Sequence, residues 1–244
     1  MDCGCDFESI RGRGLQQIIR EMTTHFFEHR IKDAVVEKYI DSDTYRVFSF
    51  EDPVTGEIPP KKSGKVGRAI LNKDLIKTLT NNLDQWYKNN PLPDQNDYDQ
   101  FHNSQVELYF SKLKAKGVLK RIGPSRQGPF SHNLDSYYNS FAKPYNLLIW
   151  HYCLGGSEPK YIFGKDNQII NCLHPALDSF LFKGLKYVIN EFLDDSPKIP
   201  YKGFTTMRSK KEYDDILRFY RPVFTKYDAP LIVLEGFWQG QQPR

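Results

Sequence analysis

Apolar side chains recur every three or four residues along five stretches of the chain, the spacing that lines one face of an α-helix. From Leu15 to about Ile40 the residues Leu15, Ile18, Ile19, Met22 and Phe26 fall on one stripe. Leu75, Leu79, Leu83 and Trp86 form a second, with Asn72 placed to cap it. The third starts at Asn103 or Ser104 as cap and carries Val106, Tyr109, Phe110 and Leu113 to a glycine stop at Gly117. The fourth covers about 176–193, with Leu177, Phe180, Leu181, Leu185 and Val188 inward. In the fifth, Ser209 and Glu212 have the spacing of a capping box ahead of Tyr213, Ile216, Leu217 and Tyr220, and Pro222 is expected to end the helix.

Other stretches read as strands. "TYRVFSF" (44–50) alternates apolar with polar residues, and "VLKRIG" (118–123) is short and basic. In the second half, "YNLLIWHYC" (145–153) predicts a strand and "YIFGKDNQII" (161–170) a hairpin around Gly164 to Asn167. "PLIVLEGFW" (230–238) is apolar enough for a strand buried on both faces. Turn chemistry in "EDPVTGE", a basic loop "EIPPKKSGKVGR" (57–68) and a polar connection "NNPLPDQNDYDQ" of twelve residues separate the elements.

Composition narrows the class. A chain of 244 residues can bury a proper core, and 14% aromatics, with 15 Tyr and 17 Phe, argue against disorder. The longest apolar runs fall far short of the roughly 20 residues that span a bilayer. The start "MDCGCDFESIRG" lacks the apolar core of a signal peptide, and four cysteines are too few for a secreted disulfide scaffold. The expected location is the cytoplasm.

The net charge of +4 permits a polyanionic partner without requiring one, so the distribution matters more. Lys112, Lys114, Lys116, Lys120, Arg121 and Arg126 lie within 15 residues that contain no acidic side chain. Lys61, Lys62, Lys65, Arg68 and Lys73 form a second cluster. Each such cation placed on a phosphate releases counterions, and two clusters would supply much of a non-specific affinity. The alternative is a solvated helix face or a protein-facing surface.

Residues 73–127 resemble a winged helix-turn-helix module: helix "NKDLIKTLTNNLDQWYK", helix "SQVELYFSKLKAKG", then strand and wing "VLKRIGPSRQGPF". The resemblance covers about a quarter of the chain. It implies that the second helix enters the major groove of DNA and that the wing touches the backbone or minor groove. Carried over, Gln105, Lys112 and Lys116 face the groove, and Lys120, Arg121 and Arg126 serve the wing. The predicted fold is therefore α+β: a helical half (1–127) with a winged-helix-like part, then an α/β half (128–244) with a small mixed sheet, separate or as one continuous domain.

Candidate chemistry centres on carboxylates. Asp135 followed by Glu158-x-Lys160 matches loosely the Asp…Glu-x-Lys pattern of restriction-endonuclease-like sites, where Asp135 and Glu158 would hold Mg2+ and Lys160 would assist. A surface turn is the plainer account of "SEPKYIF". Glu235 lies inside the apolar run "LIVLEGF", where an unpaired charge is expensive, so it needs a partner or a task. Asp178 suits the first turn of its helix without any chemistry. His132 with Asp135 three residues on has the types of a general base and its orienter. Cys3, Cys5, His25 and His29 contain Zn2+-ligand types, but Cys-x-Cys is a poor match to zinc spacing and favours histidines of core or surface. Arg20 and His25 form an Arg-x4-His pair similar to that of small helical ribonucleases of the HEPN kind, a pattern short enough to arise by chance. Tyr137, Tyr138, Phe141 and Tyr145 would either stack bases or form the seam between the halves, with the seam favoured. No nucleotide-binding loop or serine-hydrolase elbow occurs.

The combined expectation is a double-stranded-DNA-binding protein that acts as a Mg2+-dependent endonuclease of restriction or defence type. A two-fold homodimer would suit a palindromic target. The alternatives are a non-enzymatic winged-helix regulator or replication factor, and a protein-interaction module.

Overall fold

The first apolar stripe forms helix α1, Leu15–His25, and turns into one wider π-helical turn at Phe26–Arg30. The computed structural model describes residues 14–30, 48–49, 73–115, 120–121, 134–155, 168–200, 207 and 209–237. The second stripe is α2, Lys73–Asn89, and the third is α3, Gln95–Ala115. After them come α4, Tyr138–Leu154, the one-turn α5, Ile169–Cys172, then α6, Ser179–Tyr187, and α7, Lys210–Thr225. Short 3-10 stretches at Leu134–Tyr137, Ile189–Phe192 and Leu231–Phe237 complete the order. No described helix is long and apolar enough to cross a membrane.

The α/β second half is overturned. Both of its predicted strands with described residues are helical: 145–153 lies inside α4, and Leu231–Phe237 is a 3-10 segment. Among the described residues the only β pairing is the two-residue antiparallel ladder of β1, Phe48–Ser49, with β2, Lys120–Arg121, and it belongs to the first half. The predicted hairpin at 161–170 falls mostly outside the described residues, and its last two residues open α5. Continuous burial explains the misreading. Every residue from Phe141 to Trp150 is buried, as is every residue from Leu231 to Phe237. An apolar run buried on all sides shows neither a two- nor a 3.6-residue period, so helix and strand look alike in it.

α3 starts eight residues before the cap expected for it. Asp94 caps it, its carboxylate accepting the Asp97 N–H at 2.8 Å, which shortens the connection from α2 to residues 90–94. Asn103 and Ser104 are interior: Asn103 donates to Glu107, and Ser104 Oγ donates to the Phe101 carbonyl. The stripe that extends the helix is Tyr98, Phe101, His102, Gln105, Val106, Tyr109 and Phe110, all buried. Trp86 of α2 stacks on Phe101 at 4.6 Å between ring centres and meets Tyr98 edge-on.

Pro222 does not end α7, which continues to Thr225 with the proline ring exposed. The capping box is present as expected: Ser209 Oγ accepts from Glu212 N–H, and the Glu212 carboxylate accepts from Ser209 N–H at 2.8 Å. Asp178 is the N-cap of α6, accepting from the N–H groups of Phe180 and Leu181 at 2.9 and 3.1 Å. Ser209→Ala should lower stability by about 1 kcal/mol. Asp178→Ala should cost about 2 kcal/mol, because the buried Lys143 ammonium 3.8 Å away loses its anion as well. Urea unfolding of the two variants checks both magnitudes and their order.

The 3-10 segment Leu231–Phe237 runs through the centre, packed by α1 and its π turn on one side and by α5, α6 and α7 on others. Gly236 lets it lie against the backbone of α1 at Met22, and Gly184 of α6 leaves room for the Phe237 ring. Phe26 meets Trp150 of α4 edge-on at 5.6 Å, which joins α1 to the same core.

Candidate functional site

Between α5 and α6 the chain "CLHPALD", 172–178, is buried yet neither helical nor paired in a sheet beyond its first residue. Its backbone groups need partners, since an orphaned buried N–H or C=O costs about 1–3 kcal/mol. Side chains supply them. Gln95 of α3 donates to the Cys172 carbonyl at 3.0 Å, Asn146 of α4 to the Pro175 carbonyl at 2.9 Å, and Asn139 of α4 to the Leu177 carbonyl at 3.1 Å. Glu235 accepts the Ala176 N–H at 2.5 Å.

His174 carries this segment into a polar chain through the middle of the fold. Its Nε2 lies 2.8 Å from Asp99 Oδ1, and its Nδ1 lies 2.9 Å from Tyr213 Oη. Tyr213 Oη accepts from Asn146 Nδ2 at 2.9 Å, and Asn146 Oδ1 lies 2.6 Å from His102 Nε2. His102 Nδ1 meets Tyr138 Oη at 3.3 Å. Arg221 clamps Asp99 from outside with two guanidinium contacts, at 3.2 and 3.3 Å, and Gln95 donates to the same carboxylate at 2.8 Å.

The chemistry of Asp99 and of the Pro175 carbonyl sets the direction of the links from Tyr138 to Asp99. Asp99 is ionised beside Arg221 and only accepts, so His174 carries its proton on Nε2 and accepts at Nδ1 from the Tyr213 hydroxyl. The Pro175 carbonyl also only accepts, which orients the Asn146 amide with Nδ2 toward Pro175 and Tyr213. Asn146 Oδ1 therefore takes the His102 Nε2 proton, and the Tyr138 hydroxyl donates to His102 Nδ1. All links run the same way, from Tyr138 to Asp99.

The surroundings disfavour a second proton on either imidazole. Burial drives His102 well below the usual histidine range, aided by nearby His174, against the opposing pull of the Asn146 hydrogen bond and of Asp99. Burial lowers His174 as well, and the Asp99 hydrogen bond and charge only partly offset it. At Asp99 burial raises the carboxyl, but the His174 bond, the His174 and Arg221 charges and the Gln95 bond outweigh it and hold it far below the carboxylate range. Burial pushes up Tyr138, Tyr145 and Tyr213.

This sets the sign of the pH dependence. The two imidazoles bind protons more weakly folded than unfolded, so their contribution is complete above about pH 6.5 and is lost as the pH falls through their lowered values. Asp99 acts later, below about pH 4. Stability should thus decline between about pH 6.5 and 5 by at most ~2.7 kcal/mol per pH unit, the limit for two protons. Urea midpoints across that range measure the slope, and a flat profile would show that the histidines are not what titrates.

The expected catalytic set is only partly described. Asp135 is exposed in the 3-10 turn before α4. Glu235 is 1% exposed and holds the Ala176 N–H, which is the partner that a carboxylate in an apolar run requires. His132, Glu158 and Lys160 lie outside the described residues, as do Cys3 and Cys5. Among the described residues no three His, Cys, Asp or Glu side chains are grouped so that they could hold a metal ion. Arg20 is exposed and His25 half-buried on α1.

Of the nucleic-acid set, Gln105 is not at the surface. It is buried, accepts from Asn82 of α2 at 2.8 Å and donates to Ser104, so it ties the two helices together. Lys112 is exposed. Lys120 and Arg121 form β2. Lys61, Lys62, Lys65, Arg68, Lys116 and Arg126 lie outside the described residues. Tyr138, Phe141 and Tyr145 are buried against α3, which makes them a seam; Phe141 meets Tyr109 and Phe110 edge-on at 5.7 and 5.1 Å.

The polar chain was missed in the sequence, although it left a signal: a His or Asn inside an apolar stripe, as His102, Asn146 and His174 are, needs a buried partner. No protein-family model, curated protein or solved structure matches this chain.

Proposed function

We propose that the chain is a double-stranded-DNA-binding protein of the cytoplasm that grips the phosphate backbone with the basic run from the end of α3 into β2. What supports this most is where α3 changes charge. Its exposed charged positions are Asp94 at the cap, Asp97 in the first turn and Glu107 further along, then Lys112 in the last turn. The sequence continues through Lys114 and Lys116 to Lys120 and Arg121. An acidic helix start repels DNA, so contact is confined to the helix end and the strand after it. The order of helix, five-residue connection, helix and strand is that of the winged module, while Gln105 is withdrawn from base reading. Backbone contact without base readout gives affinity that depends steeply on salt and weakly on sequence.

A gel-shift series on mixed duplex DNA, over rising salt and with or without Mg2+, tests the reading. We expect salt-sensitive shifting without Mg2+. Replacing Lys112, Lys120 and Arg121 together by alanine should weaken binding about tenfold or more and reduce the salt slope by about 2–3. No shift at low salt would overturn the proposal. Discrete cuts with Mg2+ would add an endonuclease activity to the grip and direct attention to Asp135, Glu158 and Lys160. Glu235, the remaining carboxylate of that set, is buried with one oxygen accepting the Ala176 N–H.

A further inference from the structure

α2 and α3 form an antiparallel hairpin whose register is fixed by two contacts. Asn82 of α2 donates to Gln105 of α3 at 2.8 Å, and one turn further along α2 Trp86 stacks on Phe101 at 4.6 Å. From the first of these, Lys77 lies five residues back along α2 and Lys112 seven residues on along α3. At a rise of about 1.5 Å per residue those steps are about 7.5 and about 10.5 Å in the same direction, because the helices run oppositely. Lys77 and Lys112 therefore stand at one end of the hairpin, within about 3 Å of the same level. Both are exposed, and no ion pair with a described residue engages either.

The hairpin is electrically polarised along its length. Its loop end carries Asp84, Asp94, Asp97 and the Arg221-bound Asp99, with Lys88 as the one cation between residues 84 and 100. Its other end has Lys73 and Lys77 on α2 and Lys112 and Lys114 on α3, with Asp74 as the one acid. At the end of α3, lysines suit the negative end of the helix dipole. At the start of α2 they oppose the positive end, so helix stability accounts for Lys112 and Lys114 but not for Lys73 and Lys77. The exposed face of α3 before Lys112 is Asn96, Asp97, Gln100, Ser104, Glu107 and Ser111, which holds two carboxylates and no cation. A polyanion laid along α3 meets both carboxylates; one laid across the basic end of the hairpin meets lysines from two helices. α7 offers no rival surface, since Lys210 and Lys211 are paired with Asp214 and Asp215, and Arg218 also with Asp215.

We propose that duplex DNA docks end-on across this hairpin, with Lys77 of α2 and Lys112 of α3 each on a phosphate and neither helix lying in a groove. The inference rests on the backbone-grip reading and adds to it a second helix, which the basic run after α3 does not contain. Helix axes pack about 8–10 Å apart, far enough for the two ammonium groups to take separate phosphates. Buried Gln105 fits the same geometry, because in end-on docking no side chain in the middle of α3 reaches a base edge. A recognition helix, by contrast, lies in the major groove and reads bases from its exposed face.

Lys88 is the matched control. It is exposed on the same face of α2 as Lys77, eleven residues on, at the acidic end of the hairpin and about 16.5 Å away along the axis. Fluorescence anisotropy of the full-length protein with a mixed-sequence DNA duplex, from about 50 to about 200 mM salt, compares the variants. Lys77→Ala should weaken binding about threefold or more at low salt and lower the salt slope by about 0.9, the share of one phosphate. Lys88→Ala should leave affinity and slope unchanged, and Asp97→Asn should not tighten binding. Suppose that replacing Lys112, Lys120 and Arg121 by alanine weakens binding while Lys77→Ala matches the wild type. End-on docking is then overturned and the grip stands. Equal losses in Lys77→Ala and Lys88→Ala would show diffuse attraction rather than contact, and tighter binding by Asp97→Asn would lay the duplex along α3; either overturns the proposal. No binding by the wild type overturns both readings.

Discussion

Asn146→Leu should cost the protein about 4 kcal/mol, the largest loss expected from any single truncation in the polar chain. The leucine matches the asparagine in size, so little cavity is made and the loss is almost entirely one of hydrogen bonds. Asn146 donates to the Pro175 carbonyl and to Tyr213, and accepts from His102. After the substitution the Pro175 carbonyl and the His102 N–H are both buried without a partner, at about 1–3 kcal/mol each. Tyr213 loses one donor but keeps its own bond to His174, a smaller effect. Tyr138→Phe, at the loosely held end where the contact is 3.3 Å, should cost only about 1 kcal/mol. Urea or thermal unfolding of the two variants gives the comparison. Equal and small losses would mean that water or rearrangement replaces these bonds, and the chain would no longer explain how the 172–178 segment is held.

Gly236→Ala should be nearly as damaging, at about 3 kcal/mol, for a different reason. A methyl group there would lie 2.5 Å from the Met22 carbonyl oxygen, well inside contact distance, and the obstacle is backbone on both sides. No rotamer change relieves it; α1 or the 231–237 segment must move. Both belong to one core, so the shift also disturbs Ile18, Ile19 and Met22, which are essentially fully buried. Gly14→Ala is the matched control, because nothing lies within 4 Å of the added methyl. It should change the melting temperature little. If the two variants melt alike, the close approach of segment and helix is wrong.

Elements with a polar face were legible. α1, α2 and α7 each carry an apolar stripe against charged or polar residues, and the Ser209–Glu212 box, its members three residues apart, announced the start of α7. Asp178 was readable as a helix-start residue, although its role as the cap itself needed coordinates. Glu235 was legible as a problem, a charge in an apolar run, and the structure supplied the solution in Ala176 N–H.

What the sequence by itself determined about this protein is therefore local: where amphipathic helices run, how some begin, which polar residues require partners, and where positive charge gathers after α3. Tertiary structure decided the rest. "YNLLIWHYC" and "LIVLEGF" became helical because they are enclosed by other helices on nearly every side, and a segment with no polar face has no periodicity to read. The chain from Tyr138 to Asp99 draws on α3, α4, α7 and the loop at His174, positions 36 to 75 residues apart along its longest histidine links. Contacts of that range follow from packing rather than from spacing, so neither the pairing of His102 with Asn146 nor the common direction of the bonds could be written down before the helices were brought together.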